Sequence, residues 1–307
     1  MRLQGLHHIT MITADAQRNV DFYAGVLGLR LVKRTVNFDD PQAYHLYFGD
    51  DRGTPGSILT WFEYADAQPG HAGLGMVHTI QLGVADEAAL DFWTGRLRDH
   101  GYAGERGDGS LRFTDFEGLG LELVIAHAAN VPLQATHPHI PAQFAITGVE
   151  GARAYSSFAN VEERLLTDTL GFSYSGEGRY RLDGDGHSVN WTLDQPTHRG
   201  VPGAGTVHHI AWASADADHL DWQRRISDAG GFVTDVQDRD YFDAIYFREP
   251  RGVLFEIATV GPGFATDESP EHLGEELRVP KMHAALRDEL EATLTPLTDP
   301  TAAARTA

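Results

Sequence analysis

VHHIAW, from Val207 to Trp212, and LHHIT, from Leu6 to Thr10, are the two stretches that decide the fold. Each puts two adjacent histidines at the start of an alternating, β-branched run, which reads as a strand. Outward from LHHITMIT the order is a strand, then a helix over AQRNVDFYAGVLG with Asp15 placed to cap it and Gly28 to end it, then strands LRLVKRTVNF, AYHLYFGD and SILTWFEY. The same βαβββ order returns three times. MVHTIQLGV, DEAALDFWTGRLRDHG and strands closing in GLELVIA make the second unit. QFAITGVEG, a helix around VEERLLTDTLG and strands through HSVNWTLD make the third. VHHIAWAS, DADHLDWQRRISDAGG, FVTDVQD, DAIYFREP and GVLFEIAT make the fourth.

A Pro- and His-rich segment, His127 to Pro141, reads as the linker between halves. The expected organisation is therefore an N-terminal half of two units, 1–136, a C-terminal half of two units, 137–270, and a terminal segment, 271–307. That last segment holds a helix over KMHAALRDELEATLTPL and a frayed tail, DPTAAARTA.

The composition excludes several classes. A formal net charge of -20 over 307 residues repels phosphate backbones and anionic lipid, so neither nucleic acid nor a membrane surface is an expected partner. No apolar run has membrane-spanning length, and MRLQGLHHIT lacks a signal-peptide core, so the expected location is cytoplasmic. There are no cysteines and 16 histidines, which restricts any transition-metal site to nitrogen and oxygen donors. No GxGxxG, phosphate-loop or G-x-S-x-G arrangement is present to support a nucleotide enzyme or a serine hydrolase.

Four βαβββ units whose strands open in His and close in Glu resemble the vicinal oxygen chelate superfamily, which holds glyoxalases, fosfomycin and bleomycin resistance proteins and extradiol dioxygenases. The resemblance implies an α+β fold in which the four units form two cupped half-barrels, with ligands from the first and last strand of each unit. The first-strand slot, just before the Ile of HHI, TI or AI, offers His8, Thr79, Ala145 and His209. The last-strand slot, four residues after a glycine, offers Thr60, Glu122, Asn190 and Glu256. Only units one and four carry histidines, so His8, His209 and Glu256 are the expected metal ligands, with units one and four sharing the site and Thr60 in place of a fourth donor. Glu256 sits in the apolar run VLFEIA, where an unpaired carboxylate is costly and a cation would offset that cost. Glu122, in LGLELVI, reads instead as a half-buried strand residue facing solvent.

Two imidazoles and a carboxylate leave three open positions on an octahedral ion, room for a substrate oxygen and O₂ side by side. That donor set suits Fe(II), with Mn(II) as the other option. GLRLVKRTVNFDD, AYHLYFGDDRGTPGS, DRDYFDAIYFREPRGVLFEIAT and GPGFATDE further resemble the ring-cleaving dioxygenases that act on hydroquinones. The implied substrates are a small aromatic diol, of hydroquinone or catechol type, and O₂; a homo-oligomer is compatible with the sequence. The resemblance also places Arg239 and Tyr246 in the pocket, Tyr246 as a proton donor and Arg239 as a polar contact for the diol, with His208 in reserve for both roles. Thr10, two residues beyond His8, shares its face and could touch substrate or a ligand. His7 and His208 carry outer-sphere roles by resemblance, although period two points them away from the ligands. A glyoxalase-like isomerase and a non-catalytic binder of an aromatic or an antibiotic are the alternative functions. Neither would consume oxygen.

Overall fold

Leu6–Thr13, the strand that opens the first unit, is buried along almost its whole length, which requires cover on both of its faces. Helices cover one face; the other lines a cup. In the computed structural model, which describes residues 1–302, the strand order of this unit recurs in the other three, with a helix in all but the third. The end of the expected frayed tail, 303–307, lies outside the described residues. Unit one supplies β1 (Leu6–Thr13), α1 (Ala16–Val20), β2 (Arg30–Val36), β3 (Tyr44–Gly49) and β4 (Ile58–Glu63). Unit two supplies β5 (Val77–Val84), α2 (Glu87–Asp99), β6 (Glu105–Gly107), β7 (Ser110–Thr114) and β8 (Gly120–Ile125). Unit three supplies β9 (Val149–Tyr155), β10 (Ser173–Tyr174), β11 (Arg179–Leu182) and β12 (Val189–Asp194). Unit four supplies β13 (Thr206–Ser214), α3 (His219–Asp228), β14 (Gln237–Asp238), β15 (Phe242–Arg248) and β16 (Leu254–Pro262).

The strands form two eight-stranded sheets, ordered β14-β15-β16-β13-β1-β4-β3-β2 and β10-β11-β12-β9-β5-β8-β7-β6. Units one and four therefore share one sheet, and units two and three the other. Each half of the sequence gives one unit to each sheet, so the spans 1–136 and 137–270 are halves of the chain and not of the sheet pairing. Both sheets are built around an antiparallel seam of first strands, β1 with β13 and β5 with β9. The main apolar cluster draws on all four units, and a smaller one joins Tyr47, Ala211, Phe242 and Ala244 of the first sheet to Phe264 and Leu273 of the segment after β16. Among the described residues, no helix is long and apolar enough to cross a membrane.

Several elements differ from the sequence reading. The first helix is α-helical only to Val20 and continues as a π-helical stretch, Asp21–Val26; Asp15 caps its start, accepting from the Arg18 amide at 2.9 Å. The wider turn buries the neighbours Phe22 and Tyr23 together with Val26. Unit three keeps only a π-helical turn, Leu165–Thr169, where a full helix was expected. Its first strand begins at Val149, because Ala142–Phe144 form a single 3₁₀ turn and Gly148 takes a φ of +116°. FVTDVQD shrinks to the two residues of β14. The expected terminal helix is a 3₁₀ stretch, Lys281–Leu286, followed by α4 (Arg287–Thr293), which stops short of Pro296.

The segment after β16 crosses from one rim of the first cup to the other. The His283 ring donates to the Phe38 carbonyl at 2.8 Å beyond β2, and the Lys281 amide donates to Asp240 at 2.8 Å beyond β14. Along the way it protects the edge strand β2: Arg278 donates to the Arg34 carbonyl, and the fully buried Lys33 reaches Asp267 at 2.6 Å and also Glu268. Replacing Lys33 with Met strands Glu268 in the interior with only the more distant Arg278, at 3.6 Å. The expected outcome is a loss of roughly 3 kcal/mol in urea unfolding, with proteolytic cleavage after Gly263 appearing before global unfolding. An unchanged midpoint would show that the segment does not depend on this ion pair.

Candidate metal centre

Ladder register explains how the histidines of β1 and β13 come to face one another. Leu6 pairs with Trp212 and His8 with Ala211, so β1 carries one extra residue, His7. Thr10 pairs with His209 and Met11 with Val207, so β13 carries one extra residue, His208. Each histidine that strict alternation points away from the site is thus a β-bulge, free of the period-two rule. His7 turns its Nδ1 to within 2.8 Å of His8 Nδ1, and His208 Nδ1 lies 2.7 Å from His209 Nδ1. Burial and the neighbouring His8 push His7 down to about 3, and His208, which stays open to solvent on one side, is lowered as well by partial burial and by His209. Both rings are neutral near pH 7 and can accept a hydrogen bond.

In the tautomer where His8 and His209 donate from Nδ1 to these neighbours, their Nε2 lone pairs face inward. The two Nε2 atoms are 3.2 Å apart. Glu256, fully buried on β16, brings Oε2 within 2.9 Å of His209 Nε2 and 3.5 Å of His8 Nε2. Neither carboxylate oxygen has a hydrogen-bond partner of acceptable geometry. Burial alone would raise the Glu256 carboxyl; His8 and His209 hold it well below the usual range. Donor atoms of the three residues all lie within 4.8 Å of one another, the one such group of three or more among the described residues. Two imidazole nitrogens converging on a buried carboxylate that lacks a well-formed hydrogen bond fit a divalent cation.

Thr60 stands where a fourth donor would, but its hydroxyl is engaged, 2.7 Å from His45 Nε2 and 3.2 Å from Thr10 Oγ1. Thr10 is completely buried in that contact and does not line the cavity. The cavity is lined by His8, His209 and Glu256, by aromatic walls from Phe38, Phe62 and Phe242, and by a polar set drawn from both flanks. From unit four come Tyr246 and Arg239, whose Nε donates to the Tyr246 hydroxyl at 3.3 Å. From unit one come Asn37, Asp39, His45 and Tyr47. Arg239 pairs with Asp39, across the cup, rather than with the aspartates beside it in sequence. His7 and His208 border separate recesses on either side of the centre and not this cavity.

His45 and Tyr47 were not singled out in the sequence, although a signal existed. Tyr47 pairs with Thr60 across β3 and β4 as Tyr246 pairs with Glu256 across β15 and β16. The turn DDRGTPGS is longer than its counterpart EPRG, so the two tyrosines stand at different distances from their slots and the repeat is hidden.

The second sheet keeps the bulges and loses the donors. His78 is the extra residue of β5 and Glu150 that of β9. Gly151, not Ala145, stands opposite Gln81 as His209 stands opposite Thr10. Glu122 is buried, contrary to the expectation of a solvent-facing residue, because Arg112 at 2.9 Å and Gln81 at 2.7 Å satisfy it.

Comparison with known proteins follows the same lines. The Glyoxalase/Bleomycin resistance protein/Dioxygenase superfamily profile matches residues 5–140 and 164–257. A Bacillus subtilis protein named "Putative ring-cleaving dioxygenase MhqO" is 45% identical over 305 residues, 96% of this chain and 97% of its own. The "Chlorohydroquinone/hydroquinone 1,2-dioxygenase" of Sphingobium indicum is 32% identical over 95% of this chain and 96% of its own. A crystal structure of a dioxygenase-titled protein from Bacillus subtilis superposes with a TM-score of 0.89 at 44% identity, over 97% of this chain and 98% of that one. Glyoxalase I from Zea mays, at 11% identity and a TM-score of 0.57 over 83% of this chain and 92% of its own, shares the fold alone.

Elemental analysis after incubation with Mn(II) and gel filtration tests the centre. The wild type is expected to retain the ion and His209→Ala to lose nearly all of it. His7→Phe and His208→Phe, which remove only the partners of the ligand rings, are expected to weaken binding by roughly 10- to 100-fold. Full retention by His209→Ala would remove that residue from the ligand set.

Proposed function

Because the chain belongs to the Glyoxalase/Bleomycin resistance protein/Dioxygenase superfamily, we propose that it is an Fe(II)-dependent ring-cleaving dioxygenase, of extradiol type, for hydroquinone-like diols, with Mn(II) as the alternative metal. One observation carries the reading: two imidazoles and one carboxylate converge at the base of an aromatic-walled cavity, and the position of a fourth donor is taken by a threonine engaged elsewhere. Bound by His8, His209 and Glu256, the ion would supply Lewis acidity toward a phenolic oxygen and a path for electrons from ring to O₂. An isomerase that relies on four protein ligands is less well served by this set.

The remaining chemistry belongs to side chains. Phe38, Phe62 and Phe242 give the ring apolar cover and limit water around it. An arginine N–H can only donate, so the Tyr246 oxygen accepts from Arg239 and its own proton is free to turn toward the cavity. Burial and the Glu256 carboxylate raise the Tyr246 phenol far above its ordinary value, which keeps it protonated. Tyr246 is therefore the side chain placed to give a proton within the cavity. His208, the other candidate, lies outside the cavity and supports His209 instead. Arg239, buried for most of its length, offers the polar contact that a diol needs when its hydroxyls lie across the ring and only one reaches the metal. A catechol, holding both hydroxyls on the ion, has less need of it.

Oxygen-electrode measurements after anaerobic Fe(II) loading test this reading. Methylhydroquinone is expected to be turned over with a higher kcat/KM than methylcatechol, and Arg239→Ala to lower the first value more than the second. A preference for the ortho diol would overturn the hydroquinone assignment; no oxygen uptake with either would overturn the dioxygenase. Tyr246→Phe is expected to hold normal metal and to turn over on the order of 10²- to 10⁴-fold more slowly. Unchanged turnover would return Tyr246 to a packing role.

A further inference from the structure

The charged groups that line the cavity sort into two sets. His8, His209 and Glu256 face one another at its base. The other set is a single ion pair at its mouth. Asp39, just beyond β2, has a side chain 75% exposed, whereas that of Arg239, beyond β14, is 15% exposed. The Arg239 guanidinium gives one terminal nitrogen to Asp39 Oδ2 at 3.1 Å and the other to Oδ1 at 3.4 Å, with its Nε on Tyr246. The two residues come from opposite rims of the cup, 200 positions apart in sequence. Of the five N–H groups of a guanidinium, this arrangement occupies three and leaves two.

We propose that Asp39 is a specificity residue: a built-in counter-anion that neutralises Arg239 and reserves the cavity for diols whose ring carries no charge, excluding ring carboxylates. This rests on the dioxygenase reading and narrows its substrate class. A neutral hydroxyl can accept from the two unused N–H groups without disturbing the pair. A carboxylate on the ring must either lie beside Asp39 or displace it from Arg239. Either course opposes like charges at a mouth where Asp40 is also exposed, on a chain of net charge -20. Unmasked, the same arginine would be a carboxylate receptor, since its planar fork matches a carboxylate in two-point contact.

The test compares anaerobic binding of methylhydroquinone and of 2,5-dihydroxybenzoate to the Fe(II)-loaded protein by calorimetry, in the wild type, Asp39→Asn and Asp40→Asn. Asp39→Asn is expected to tighten the carboxylated diol on the order of tenfold while methylhydroquinone stays within about twofold. Asp40→Asn, which makes the same change in net charge without touching Arg239, is expected to move neither ligand by more than about twofold. In the wild type, discrimination against the carboxylate should shrink with added salt. Equal responses of Asp39→Asn and Asp40→Asn would overturn the proposal, as would a wild type that binds both diols alike. Oxygen uptake with methylhydroquinone keeps the two levels apart. Turnover by a wild type whose discrimination survives Asp39→Asn sinks the role of Asp39 and leaves the dioxygenase standing. A wild type that binds neither diol and consumes no oxygen sinks both.

Discussion

Everything in the centre depends on one antiparallel pairing, β1 against β13. The seam brings His8 and His209 to a common point, and its two bulges put a spare histidine behind each of them. A regular ladder would turn His7 and His208 to the opposite face. The ligand rings would then lose the partners that set their tautomers. Parallel pairing of β13 with β16 adds the carboxylate, since Glu256 stands beside Ala211, two residues on from His209. Neither unit holds a complete donor set, and the pairing of two incomplete units makes a complete one.

The second seam shows which parts of this belong to the fold and which to the chemistry. Its bulges are retained at His78 and Glu150, so they are a property of the backbone pairing. Even the contact survives in part, His78 Nδ1 lying 2.9 Å from Thr79 Oγ1 where His7 meets His8. The donors do not survive. Glu122 remains as a buried carboxylate, but Arg112 and Gln81 neutralise it in the place of a cation. The contrast bears on Glu256: the same element position, buried to the same degree, is satisfied in one cup and orphaned in the other.

The repeat order, the strand alternation and the position of His8, His209 and Glu256 could be read from the sequence, because repeats place equivalent residues at equivalent ladder positions. What could not be read was set by register or by distant pairing. Bulges leave no mark in an alternation of apolar and polar residues, so His7 and His208 pointed the wrong way. The six-residue displacement of the third unit's first strand depended on a positive φ at Gly148, and the slot at Ala145 moved with it to Gly151. His45 and Tyr47 sat in a strand whose other residues are also buried, so nothing in their own pattern marked a cavity wall. Arg239 has aspartates beside it in sequence, yet its partner Asp39 lies on the far rim, a pairing that only the folded sheet brings about.

The order of the sheets also fixes when the centre can exist. Units two and three follow one another in the chain, and the seam between β5 and β9 closes a far shorter loop than that between β1 and β13. Units one and four enclose them in sequence, and the ligands run from residue 8 to residue 256 of 307. During synthesis the second sheet can pair while β1, already beside β4, still lacks β13. His209 emerges 201 residues after His8, and Glu256 after that. The crossing segment that ties the two rims comes later still. A metal held by His8, His209 and Glu256 would therefore be captured late, and a product cut short before β13 would have one sheet able to pair and no complete donor set.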